Sequence, residues 1–155
     1  MAEFKLGNIK TIEELTVRAF AHGKFLFRRD DSMFKLFLGE YKSHPDLVER
    51  LSLLKRGENS FSHIWGGGDF KVLDRTLTFS GSSGNYGQVP NSFLIDCCCK
   101  VRIPNINTFV FSLSPYSLDD TLLEERRQTW RELGSYELDT ERKRYVFDKD
   151  MNLKS

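Results

Sequence analysis

The sequence predicts an α+β fold (an α/β sandwich), a mixed β-sheet with helices packed on its faces. Two observations carry this. Strand-like runs that alternate apolar and polar residues are interleaved with runs carrying apolar stripes at helical spacing. Two neighbouring pairs of strands are joined by short polar turns, which makes them local antiparallel hairpins within an otherwise alternating β/α order. The 155 residues suit a single domain with its own core.

The elements follow in chain order. Thr11-Ile12-Glu13-Glu14 has the form of a capping box, and Ile12, Leu15, Ala19 and Phe20 continue an apolar helical stripe that Gly23 would stop. Lys24 to Arg29 reads as a strand, with Phe25 and Phe27 on one face and Lys24, Leu26 and Arg28 on the other. Asp30-Asp31-Ser32 is a turn. Met33 to Leu38 returns as a second strand, with Phe34, Leu36 and Leu38 opposite Met33, Lys35 and Phe37. Ser43-His44-Pro45-Asp46 opens a helix whose buried side is Leu47, Val48, Leu51 and Leu54, ending at Gly57. Phe61 to Trp65 reads as extended, interrupted by Gly66-Gly67-Gly68. Asp69 to Leu73 and Thr76 to Ser80 form the second hairpin around Asp74-Arg75. Pro90 to Lys100 reads as a helix and Thr108 to Ser112 as a buried strand. After Pro115, Ser117 caps a helix from Leu118 to Leu133 that Gly134 closes. Its apolar stripe starts with Leu118, Leu122 and Leu123 and extends to Trp130 and Leu133. Tyr136 to Leu138 and Arg144 to Phe147 pair as a terminal hairpin. The expected organisation is a single domain, 1–155, with a central body at 24–112 and a C-terminal helix and hairpin at 116–155.

Composition excludes several classes. Lys and Arg number 23 against 22 Asp and Glu, a net charge of +1, which implies no strong global attraction to nucleic acid or membrane. No apolar run is long enough for a membrane helix, and Met1 to Lys5 lacks a signal-peptide core, so a cytoplasmic protein is expected. Cys97-Cys98-Cys99 are consecutive, so on a helix they point about 100° apart and form no tetrahedral metal site by themselves. They are expected reduced, packed as small hydrophobes. The chain has no Gly-Lys-Ser/Thr loop, no dinucleotide glycine fingerprint, no Gly-x-Ser-x-Gly elbow and no His-Glu-x-x-His.

Gly81-Ser82-Ser83-Gly84-Asn85-Tyr86-Gly87 is the most informative stretch. Three glycines and two serines occupy five of its seven positions, directly after a strand and shortly before a helix start at Val89-Pro90-Asn91. A strand, a small-residue loop and a helix N-terminus make an anion-binding geometry, because glycine lets backbone N–H groups turn inward and the helix end adds partial positive charge.

Taken with other residues, this loop completes a pattern. A strand opens with Lys24; His44 sits at a helix start; Gly66-Gly67-Gly68 begins 22 residues later; and a strand leads into Gly81-x-Ser83-x-x-Tyr86-Gly87. In this order and spacing, Lys24 through Ser112 resembles the phosphohistidine phosphatase (Janus/ocnus) family. The resemblance implies that fold and a metal-independent phosphatase acting on phosphohistidine or a related N-phosphorylated ligand, with no cofactor. His44 would be the catalytic residue, as general base on water or as phosphoryl acceptor. Lys24 would contact the phosphate, and Ser83, Gly84 and Asn85 would cradle its oxygens. The partner would be a phosphorylated protein or a small phospho-ligand.

The chemistry fits in part. Histidine titrates near neutrality, and phosphoryl transfer needs positive charge around the phosphate oxygens. Two departures bear on it. The family typically carries an arginine straight after the triple glycine, where this chain has Asp69, and another about eight residues before the histidine, near Phe37. An aspartate facing the pocket would repel a phosphate. Lys35, on the strand face of Phe37, and Arg28, on that of Lys24, are the candidate replacements. His63 and Tyr86 read more simply as a strand residue and a loop anchor. The alternatives to an enzyme are a non-catalytic phospho-ligand-binding module, which the missing arginines favour, and a protein-interaction module using the C-terminal helix.

Overall fold

The computed structural model describes residues 2–112, 120–134, 136 and 143–154, with the backbone only for 61 and 120–124. In chain order the elements are β1 (Glu3–Leu6), α1 (Ile9–Thr16), β2 (Phe20–Asp30), β3 (Met33–Gly39), α2 (His44–Arg50), α3 (Ser60–His63), β4 (Ile64–Leu73), β5 (Thr76–Ser80), α4 (Asn91–Lys100), β6 (Thr108–Ser112), α5 (Asp120–Gly134) and β7 (Tyr145–Asp148). The strands form one mixed sheet in the order β1-β3-β2-β4-β5-β6-β7. β1 with β3 and β5 with β6 are parallel; the other neighbours are antiparallel. The expected α+β class is what the chain adopts.

Alternation sorts the side chains onto two faces. Phe25 and Phe27 of β2, with Phe34, Leu36 and Leu38 of β3, enter the larger core, where Ile12, Phe93, Leu94, Cys97 and Trp130 cover them. Leu26 and Phe37 point the other way, into a smaller cluster closed by Leu47 and Val48 of α2. Both hairpins form as the sequence predicts. In the second, Asp74 and Arg75 both have positive φ (46° and 65°), the backbone of a tight turn whose twist matches its strands.

Several boundaries differ from expectation, each for a non-local reason. α1 starts at Ile9 after Asn8, so Thr11 lies inside the helix and caps nothing, while Ala19 and Phe20 are exposed. Gly23 stops no helix; it lies inside β2, where a Cβ would strike the Gly39 carbonyl on the neighbouring strand. β1 has no strong local signal and forms by pairing beside β3. α2 ends at Arg50, since Ser52 takes φ of 52°. Ser60–His63 is a helical turn rather than extended, and Gly66 to Gly68 lie within β4 rather than breaking it. Pro90 precedes α4 instead of opening it.

β7 pairs with β6 and extends the main sheet. Trp130 of α5 is fully buried in the larger core. Tyr136 packs on Phe93 and donates its hydroxyl hydrogen to Asp96. The Ser117 cap, the positions of Pro115 and Leu118, the side chains of Leu122 and Leu123, and the strand ending at Leu138 fall outside the described residues.

Cys97 and Cys98 are buried and Cys99 exposed, all as free thiols; burial pushes the Cys97 and Cys98 thiols well up, which keeps them protonated packing groups. No helix among the described residues is long and apolar enough to cross a membrane.

Candidate functional site

α2 delivers His44. The Ser43 hydroxyl accepts a hydrogen bond from the Asp46 N–H at 3.2 Å, and Pro45 supplies a helical φ without an N–H to satisfy, so the helix starts at His44. The ring lies against β4 because residue 67 is glycine: a Cβ there would come within 3.1 Å of the imidazole. His44 Nε2–H donates to the Gly68 carbonyl at 2.9 Å, which assigns the proton to Nε2, since a carbonyl only accepts. His44 is 5 % exposed. Burial pulls its pKa below 6.5 against the Gly68 carbonyl, with Lys24 pulling it down further and Asp69 and the Phe25 carbonyl opposing.

A neutral, buried histidine makes stability depend on pH. Below 6.5 the unfolded chain takes up a proton that the folded chain refuses, so stability falls with pH through that window; above it both states are neutral. Thermal unfolding of wild type between about pH 7 and about pH 5 should therefore show a steeper loss than His44→Gln. Parallel pH profiles would remove His44 as a source of acid sensitivity.

Lys24 and Asp69 face each other across β2 and β4 in register and form an ion pair. Asp69 also reaches the loop: its Oδ2 lies 2.6 Å from where a Cβ on Gly81 would stand, and Gly81 takes φ of +72°. The Asp69 carboxylate thus sits between the lysine and the head of the loop, where the resemblance would put a phosphate. It reaches this face through a bulge. β4 carries one extra residue opposite Phe27, and Gly66 there has φ of +115°.

The loop is closed on itself. Ser83 N–H donates to the Gly87 carbonyl at 3.2 Å, Gly87 N–H to the Ser83 carbonyl at 2.8 Å, and Tyr86 N–H to the Ser83 hydroxyl at 3.1 Å. The Gly87 carbonyl also accepts from Gly67 N–H at 3.1 Å, tying the loop to β4. Ser83 is fully buried, so its N–H and hydroxyl serve the loop rather than a ligand. Gly84 and Asn85 are exposed at the tip. Gln88 and Val89, both buried, and Pro90 separate Gly87 from α4, so the loop does not open directly onto that helix N-terminus.

The two candidate replacements are not brought to this place. Arg28 and Lys35 pair with each other four positions along from Lys24 and Gly39, about 13 Å away at strand spacing. The Arg28 guanidinium binds Asp30 at 3.0 Å, Glu58 at 3.1 Å and the Leu53 carbonyl, and holds the Glu58 carboxyl down at about 2 with help from the Lys55 amide. Lys35 lines a different cavity with Lys5 and Arg102. His63 Nε2 lies 3.2 Å from Glu58, inside the Arg28 network. No cluster of metal-ligating side chains occurs among the described residues.

Other cations stand beside Lys24. A cavity of about 590 Å³ opens over the uncovered part of the sheet, with His22, Lys24, Lys42 and Lys71 around it. Its two carboxylates are both engaged, Asp69 with Lys24 and Glu40 with Arg18. Among the described residues no carboxylate lies within 4 Å of Lys42 or Lys71. Sequence reasoning missed His22 and Lys71, although His22 alternates with Lys24 and Lys71 with Asp69 on the same strands.

No family model, curated protein or solved structure matches the chain.

Proposed function

We propose that this chain binds a phosphorylated ligand in the cavity over Lys24 and is not a competent phosphatase. The observation that carries the reading is the Lys24–Asp69 ion pair, which sets an internal carboxylate on the lysine that the resemblance assigns to the phosphate, beside two further lysines at the cavity. Catalysis would need the charges developing on the phosphate oxygens to be met by preorganised donors. Here Lys24 is neutralised and Ser83 is turned inward, so neither is free to meet that charge. Lys42 and Lys71 leave positive charge at the cavity for a ligand to meet.

Titration of the full chain with inorganic phosphate and phosphoramidate, followed by ³¹P NMR, tests this. Saturable binding that weakens with salt and with Lys71→Ala is expected, with no phosphate release. Chelator-resistant release that disappears in His44→Ala would replace the binding reading with the enzyme; absence of any binding would overturn both.

A further inference from the structure

We propose that the ligand of this cavity is an extended polypeptide whose anionic residue lies over Lys24 and Lys71 and whose apolar residue, about four positions away, packs on Phe20 and Leu73. This rests on the binding reading for the anionic residue alone. Phe20 and Leu73 are direct cross-strand partners at the end of β2 and β4. They belong to the same sheet face as the cavity, because Phe20, His22 and Lys24 alternate along β2, and Leu73, Lys71 and Asp69 along β4. Their neighbours of opposite parity, Ala21 and Val72, are the ones in the larger core.

Phe20 is 53 % and Leu73 47 % exposed, and neither belongs to a core cluster. α2 covers this face over Leu26, Phe37, Ile64 and Gly67, and Phe20 and Leu73 stay exposed. The Phe20 ring lies 5.4 Å from the His22 ring, so apolar and basic surfaces are continuous. Single exposed apolar side chains are ordinary on a protein surface, but a paired Phe and Leu contiguous with a basic cavity is a two-part recognition surface.

The dimensions choose the ligand class. From Phe20 to Lys24 the face runs about 13 Å, beyond a small phosphorylated metabolite and equal to about four residues of extended chain. A single-stranded nucleic acid would bring a phosphate with every nucleotide and need cations throughout. The adjoining β5 row instead offers Thr76, Thr78 and Ser80, hydroxyls suited to peptide groups.

The test is fluorescence anisotropy on the full chain with short labelled phosphoserine peptides. One set carries leucine about four positions to either side of the phosphoserine, and a second carries serine there. Wild type should bind one of the leucine peptides about tenfold more tightly than its serine counterpart, as expected for burying one aliphatic side chain. Phe20→Ser with Leu73→Ser should erase that preference and leave inorganic phosphate binding unchanged. Equal affinity for leucine and serine peptides in wild type would overturn the proposal without touching the phosphate site. A leucine preference equally strong in unphosphorylated peptides would retain the apolar subsite and remove the phosphate reading. Tighter binding of a labelled single-stranded oligonucleotide than of any peptide would overturn the polypeptide assignment.

Discussion

Asp69→Asn should bind inorganic phosphate roughly tenfold more tightly than wild type at low salt, a gain of about 1.4 kcal/mol. The carboxylate pairs with Lys24 and stands beside Gly81, so a phosphate entering between them meets a like charge and a lysine already occupied. Removing the charge relieves the repulsion and releases the ammonium. The Asp69 side chain is 44 % exposed, so solvent screens the effect, and the gain should shrink as ionic strength rises. Asp69→Arg should go further in the same direction, adding a planar donor fork suited to phosphate oxygens. Neither variant is expected to hydrolyse phosphoramidate, because the Ser83 N–H and hydroxyl stay committed to the closed loop. ³¹P titrations at two salt concentrations read both variants. A folded Asp69→Asn with unchanged affinity would place the anion away from Lys24. Turnover by Asp69→Arg that requires His44 would show that only the charge at position 69 keeps this chain from catalysis.

Trp130→Ala should cost about 3–5 kcal/mol, a large share of the roughly 5–15 kcal/mol that stabilises an ordinary domain. The indole is fully buried, with ring centroids 4.6 Å from Phe93 and 5.4 Å from Trp65. These partners come from α4 and β4, so the truncation leaves a cavity where α5 joins the rest of the core. For a chain of this size, thermal unfolding should fall by on the order of 10 °C. Trp130→Phe should lose much less. It keeps an aromatic ring in place and removes an indole N–H that has no hydrogen-bond partner among the described residues. A melting temperature for Trp130→Ala within about 1 °C of wild type would mean that α5 contributes no shared core.

Lys24, His44 and the Gly81 loop do converge, as the order of their motifs suggests. What that order leaves out is the state in which they meet. The resemblance makes Ser83 a cradle residue, yet its hydroxyl is the acceptor that closes the loop on the Tyr86 N–H. Arg28 and Lys35 share the face of Lys24, as alternation requires, but distance along the strands removes them from the site, and two carboxylates hold Arg28. β1 and the β6–β7 pairing were not legible because each owes its existence to a partner distant in sequence.

Asp69 shows most clearly where local reading stops. Counting by twos from the core residue Trp65 assigns Asp69 to the larger core's face, where a charge would be costly. The bulge at Gly66 shifts the count by one, so that Phe70 and Val72 turn into that core and Asp69 turns out beside Lys24. By itself the sequence determined the mixed α+β class, both hairpins and the two faces of β2 and β3, because side-chain period and turn chemistry are local properties. Only the tertiary structure decided that Asp69 meets Lys24, that the Gly81 loop is closed and that β7 completes the main sheet. Register across strands is set by the packing of distant residues, and one inserted residue reverses which face every later side chain occupies.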